Sequence, residues 1–110
     1  MIKQITKKRK RRSDRMHLVY VLVNTVTNEQ YVGIAACVDR SGKETLAARF
    51  SRHVGRAFNQ NKDWALCRSI RKYGAEAFAP LILDFVRGKA AAHAMETELR
   101  KTGEFKLNTF

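Results

Sequence analysis

The run His17-Leu18-Val19-Tyr20-Val21-Leu22-Val23-Asn24, then Thr25-Val26-Thr27-Asn28, then Glu29-Gln30-Tyr31-Val32-Gly33-Ile34-Ala35 decides the fold. Residues 17–24 are rich in Val, Leu and Tyr, types that suit a pleated, half-buried surface, and are expected as a strand. Residues 25–28 are polar turn material, and residues 29–35 return as a second strand. A turn centred on Val26 makes the pair a hairpin and brings Tyr20 and Tyr31 close across it.

Beyond the hairpin, residues 39–43 carry the loop signal Ser41-Gly42. From residue 44 to about residue 60 the pattern turns helical. Leu46, Phe50, Val54 and Phe58 recur at four-residue spacing, Ala47 and Ala57 widen the stripe, and Arg49, Arg52, His53 and Arg56 fall outside it. Residues 59–62 break this helix. Asp63 is the expected cap of a second one running to Tyr73, with Trp64, Cys67 and Ile70 on its buried side and Arg68, Arg71 and Lys72 elsewhere. Gly74 is a helix stop with cations in the turn before it. Residues 78–86 read as a third strand, with Pro80 near its start, so at an edge or a bulge. Residues 89–101 form a third helix ended by Gly103, and residues 105–108 close the chain, with room for a short final strand. The order β-β-α-α-β-α implies an α+β domain of three-layer α/β/α build, a small mixed and mainly antiparallel sheet flanked by helices.

Composition sets the class. A chain of 110 residues, 45% apolar, suits one globular domain with one modest core. The apolar runs are too short to cross a bilayer, and no signal-peptide pattern follows the basic start, so a soluble, cytoplasmic protein is expected. Lys and Arg number 22 against 10 Asp and Glu, for a formal charge of +12. Such an excess is the footprint of a polyanion binder. Residues 1–15 hold eight cations and one anion, a net of +7, which leaves +5 for residues 16–110. The arm, residues 1–15, is expected to be disordered in isolation, which is compatible with binding through counterion release. Cys37 and Cys67 have no metal-type spacing, and His17, His53 and His93 are scattered, so zinc is not favoured.

Several pieces resemble the GIY-YIG nuclease family. Leu18-Val19-Tyr20 stands where that family has its first Gly-Ile-Tyr triplet, and Tyr31-Val32-Gly33 looks like the second, Tyr-Ile-Gly, triplet. Arg49-Phe50-Ser51-Arg52-His53 is similar to the Arg-x-x-x-His arrangement of its homing-type members. Ile70-Arg71-Lys72-Tyr73-Gly74, with Phe78 following, resembles a helix-end signature of the same branch, and the spacing from Glu96 to Asn108 recurs too. The resemblance runs from about residue 17 to residue 108. Tyrosines in strands are ordinary, so the specificity lies in the ordered combination with Arg49, His53, Glu96 and Asn108. Leu18 in place of the usual Gly, and a longer loop over residues 36–45, depart from the pattern.

The resemblance implies a DNA endonuclease of the kind carried by phages and mobile elements, with one Mg2+ (or Mn2+) and no small-molecule cofactor. Glu96 would hold the metal; Glu98 is the competing carboxylate, nearer the middle of an Ala91/Met95/Leu99 stripe. Arg49 would contact the scissile phosphate, where a planar guanidinium suits two oxygens. His53, one turn on, would orient phosphate or water, or serve as a satisfied structural histidine. Tyr20 and Tyr31 would handle protons; a phenol is a poor base near neutrality unless a metal or arginine lowers its pKa. Which of them is the base stays open, and two core tyrosines are the plain alternative. Gly33 would permit close backbone approach, and Asn108 would tie the C-terminal segment to the sheet. Lys7, Lys8, Arg9, Lys10, Arg11 and Arg12 of the arm, with Lys43, Arg52, Arg56 and Arg68, are candidates for contacts to double-stranded DNA, unless they are merely solvated. Two other classes remain: an inactive nuclease-like binding protein, and a basic protein associated with RNA or ribosomes.

Overall fold

The computed structural model describes residues 15–60 and 62–108; the candidate contacts Lys7 to Arg12 lie outside them. Strand β1 (Met16–Asn24) is the centre of a three-stranded sheet, with β2 (Gln30–Ala36) on one side and β3 (Phe78–Arg87) on the other. Both pairings are antiparallel, so no parallel pair exists among the described residues. Helices α1 (Lys43–Asn59), α2 (Ala65–Tyr73) and α3 (Lys89–Arg100) complete the order β-β-α-α-β-α, with a short 3-10 turn at Ala75–Ala77 before β3. No helix among the described residues is long and apolar enough to cross a membrane.

Residue parity along β1 builds the layers, because successive side chains point to opposite faces. Leu18, Tyr20 and Leu22 face α1 and α2, joining Ala35, Ala57, Leu66, Cys67, Ile70 and Phe78 in the larger core. Val19 and Val21 face the other way and, with Val32, pack against Met95 and Leu99 of α3. The result is the three-layer arrangement expected from the element order.

The hairpin is set by Asn24, fully buried, whose Oδ1 accepts from the backbone N–H groups of Val26 and Thr27 while its Nδ2 donates to Ser69. This is an Asx-type turn tied to α2. The register centres between Val26 and Thr27, half a residue past the expected centre on Val26. The shift matters, since a turn centred on Val26 would put Tyr31 opposite Val21, on the wrong face for Tyr20. Pro80 lies in β3, an edge strand, opposite Leu22; the bulge falls further on, where Val19 pairs with Asp84 and Tyr20 with Ile82, leaving Leu83 as the extra residue. Residues 105–108 form turns rather than a final strand. Asn108 substitutes for one, its amide bonding both the N–H and the C=O of Val32 at 2.9 Å, and Leu107 N–H donates to Gln30 O.

The helices keep part of the expected stripes, since Leu46, Phe50, Val54 and Ala57 of α1 and Cys67 and Ile70 of α2 do pack in the larger core, but they depart at the margins. In α1 the buried residues are Thr45, His53 and Ala57, while Phe58 is 54% exposed and Ala47 is exposed. A strict four-residue repeat drifts by about 40° per step around a helix of 3.6 residues per turn, so Leu46 and Phe58 cannot share a face. The drift brings His53, expected outside the stripe, inward beside Ala57, which the stripe did include. Trp64 is likewise not buried: it precedes α2 and is 43% exposed, and Leu66 takes the inward place beside Cys67 and Ile70. Asp63 does not cap α2 but pairs with Arg68 at 2.8 Å.

Candidate active site

Tyr20 pairs with Gly33 across the hairpin and Tyr31 with Leu22, which makes the tyrosines diagonal neighbours on the face covered by α1. Their ring centroids are 6.2 Å apart. His53 enters from α1: its Nε2 lies 2.8 Å from the Tyr20 hydroxyl, and its ring meets Tyr31 edge-on at 5.1 Å. Tyr20 and His53 are buried, whereas Tyr31 is only partly covered. Gly33 makes room for this cluster. A Cβ at that position would stand 2.5 Å from the Tyr20 hydroxyl oxygen, closer than real side chains approach.

The charges around the cluster separate the two phenols. Burial, then the neighbouring Tyr31 charge, pushes Tyr20 far above the ordinary phenol value, and the hydrogen bond between the two hydroxyls adds to the rise. Tyr31 is also raised, first by burial and then by Glu96, but that same hydrogen bond and the charges of Arg49 and Arg56 pull it back. Tyr31 is therefore the easier of the two to ionise. Burial, with the charges of Arg56, Arg49 and Arg52, lowers His53 to about 4, so its imidazole is neutral at pH 7. Its Nδ1 is buried with no hydrogen-bond partner among the described residues. A neutral ring has one N–H and one lone pair, so His53 keeps one unused bonding position inside the site.

Glu96 and Glu98 have opposite surroundings. Ala92 and Glu96 are the buried residues of α3, with Met95 and Leu99 half-buried beside them, while Ala91 and Glu98 are exposed. The inward stripe is thus 92-95-96-99, and the expectation that Glu98 lies nearer its middle is corrected. The alanines at 90, 91, 92 and 94 could not distinguish faces, which is why the sequence left the choice open. Glu98 pairs with Lys101 at the surface. Glu96 has His93 Nδ1 at 3.4 Å, and its charge raises both phenols although α3 covers the opposite face of the sheet.

Beside the cluster, Arg15, Arg49 and Arg52 line a groove of about 180 Å³ with Ala35, Ala36, Val38, Thr45 and Ala48, and no carboxylate lies on its wall among the described residues. Arg15, the last residue of the expected arm, is an exception to it. It belongs to the folded body, since its carbonyl accepts from Gly88 N–H and lies 2.8 Å from His17 Nδ1. The available signal was its position, directly before the first strand residue. Of the remaining candidate contacts, Arg56 is half-buried beside the site, Lys43 is exposed at the start of α1, and Arg68 is held by Asp63. No three His, Cys, Asp or Glu side chains gather into a metal-binding group among the described residues. A site built on Glu96 is compatible with that, because Mg2+ uses one or two carboxylates and keeps several waters. No family model, no curated protein and no solved structure matches this chain.

Proposed function

We propose that this chain is a divalent-metal-dependent endonuclease of the GIY-YIG type, hydrolysing phosphodiester bonds of double-stranded DNA with little sequence preference of its own. The supporting observation is the meeting of Tyr20, Tyr31 and His53 in one cluster whose phenols feel both Arg49 and Glu96. These residues come from β1, β2, α1 and α3, and nothing in core packing requires a carboxylate and an arginine to bear on the same pair of phenols.

In this reading Tyr31 accepts the proton of the attacking water, because it is the less buried phenol and the one that Arg49, Arg56 and the Tyr20 hydroxyl favour in its ionised form. Tyr20 stays protonated and passes its hydrogen bond to Tyr31, with neutral His53 behind it fixing the orientation. Arg49 meets the phosphate and stabilises charge that develops on its oxygens. With Nε2–H directed at the Tyr20 oxygen, the free Nδ1 of His53 carries the lone pair and can accept from a water. Glu96 is the residue that would hold Mg2+ or Mn2+: it is a carboxylate only 8% exposed with His93 Nδ1 3.4 Å away, and a buried carboxylate is costly without a cation. When bound, the divalent ion supplies charge stabilisation for the transition state and offsets the upward pull of Glu96 on both phenols. Arg15 and Arg52 extend the phosphate track along the groove. Such contacts position a duplex without reading its bases, hence the low sequence preference.

The test is conversion of supercoiled plasmid in Mg2+ or Mn2+ by the wild type and by Glu96→Ala. Nicked product from the wild type alone is expected. An intact plasmid across both metals and a range of pH, with DNA or structured RNA still bound, would replace the enzyme reading by that of a binding protein.

A further inference from the structure

Trp64, expected in the core, stands instead at the corner between α1 and α2, 43% exposed. The guanidinium of Arg56 lies 5.7 Å from its ring centroid and the ammonium of Lys62 lies 5.5 Å from it. The corner is held from inside, where Arg71 donates to the carbonyls of Ala57 and Lys62. A large, partly exposed aromatic ring faced by two cations is complementary to a ligand that offers a flat π face next to negative charge. An unpaired nucleobase with its adjoining phosphates has that chemistry. Arg56 also connects the corner to the tyrosine cluster, since its charge pulls down both Tyr31 and His53.

We infer that Trp64, with Arg56 and Lys62, is a stacking platform for an unpaired base of the DNA strand that runs from the tyrosine cluster along α1. The base takes a place on the ring, and the two cations turn from the ring to the flanking phosphates. The platform would hold a frayed or opened strand next to the scissile phosphate. The inference rests on the nuclease reading for its choice of ligand, but its measurement does not need cleavage.

Trp64 is the only tryptophan of the chain, so its fluorescence reports the site directly. The full chain is titrated in EDTA with oligo(dT) of eight nucleotides and with an abasic strand of the same length and charge. Oligo(dT) is expected to quench Trp64 and the abasic strand to leave it nearly unchanged. Trp64→Ala, its binding followed by anisotropy of a labelled strand, should bind oligo(dT) about 5- to 150-fold more weakly, the range for loss of one stacked base, and the abasic strand as before. Equal quenching by both strands, or equal affinity of wild type and Trp64→Ala for oligo(dT), overturns the platform. Those results leave plasmid cleavage by the wild type untouched, and a wild type that never cleaves leaves the quenching result standing.

Discussion

The two faces of the central strand carry different duties although their residues alternate one by one. Val19 and Val21 meet Val32, Met95 and Leu99 in a mainly apolar layer beneath α3, the helix that also buries Glu96. Leu18, Tyr20 and Leu22 meet α1 and α2 in a layer that also contains a phenol pair, a neutral histidine with an unused nitrogen, and a glycine needed for clearance. Desolvating polar groups is unfavourable, and an apolar filling would serve stability better. The polar face is therefore the one whose composition asks for a chemical reason, and the contrast between the faces can be tested by perturbing each in turn.

The largest effect is expected at Glu96. Glu96→Gln keeps the shape but removes the charge, and plasmid cleavage should fall on the order of a thousandfold, about 4 kcal/mol of lost transition-state stabilisation. Thermal stability in EDTA should be equal or higher, because a buried carboxylate no longer has to be desolvated. A marked fall in melting temperature with cleavage retained would assign Glu96 to the fold.

His53 gives the next effect, in stability rather than rate. Its folded pKa, about 4, lies below the ordinary histidine value, so between the two the unfolded chain binds a proton that the native chain refuses. Stability is therefore complete above about pH 6.5 and declines as pH falls toward 4, by an amount on the order of 3 kcal/mol. Urea melts of the wild type and His53→Gln at stepped pH check this; parallel curves for the two proteins would refute it.

The apolar face should respond in the opposite sense. Val21→Ala is expected to cost about 2 kcal/mol of stability through the lost methyl groups and the void, while the folded fraction cleaves at the wild-type rate. The smallest effect belongs to Asn108. Asn108→Ala removes both bonds to Val32 at the outer edge of β2 and should lower stability by about 1–2 kcal/mol, read as a downward shift in the urea midpoint.

Much of the architecture was legible because the periodicities are unambiguous: a valine-rich alternation around a polar turn, helical spacing after Gly42, and a proline confined to an edge strand. Element limits moved by only one or two residues, the ordinary uncertainty of helix and strand ends. What stayed hidden was rotation about helix axes. The four-residue repeat of α1 pointed to Phe58 and away from His53, and only the drift of the real helix reverses them. Trp64 was placed inside by its hydrophobicity, a rule that does not run backwards, since large apolar groups also occupy surfaces. The Asx turn of Asn24, which puts both tyrosines on one face, could not be told from ordinary turn polarity. Arg15 was hidden by the basic run that precedes it.

The most direct test of the central claim compares cleavage of supercoiled plasmid in Mg2+ by the wild type and by Tyr31→Phe, each shown to be folded. The wild type should yield nicked circles, and Tyr31→Phe should do so at least about a hundredfold more slowly, as loss of a general base requires. A plasmid left intact by the wild type, or cut equally fast by both proteins, would contradict the assignment of the phenol pair as the active site.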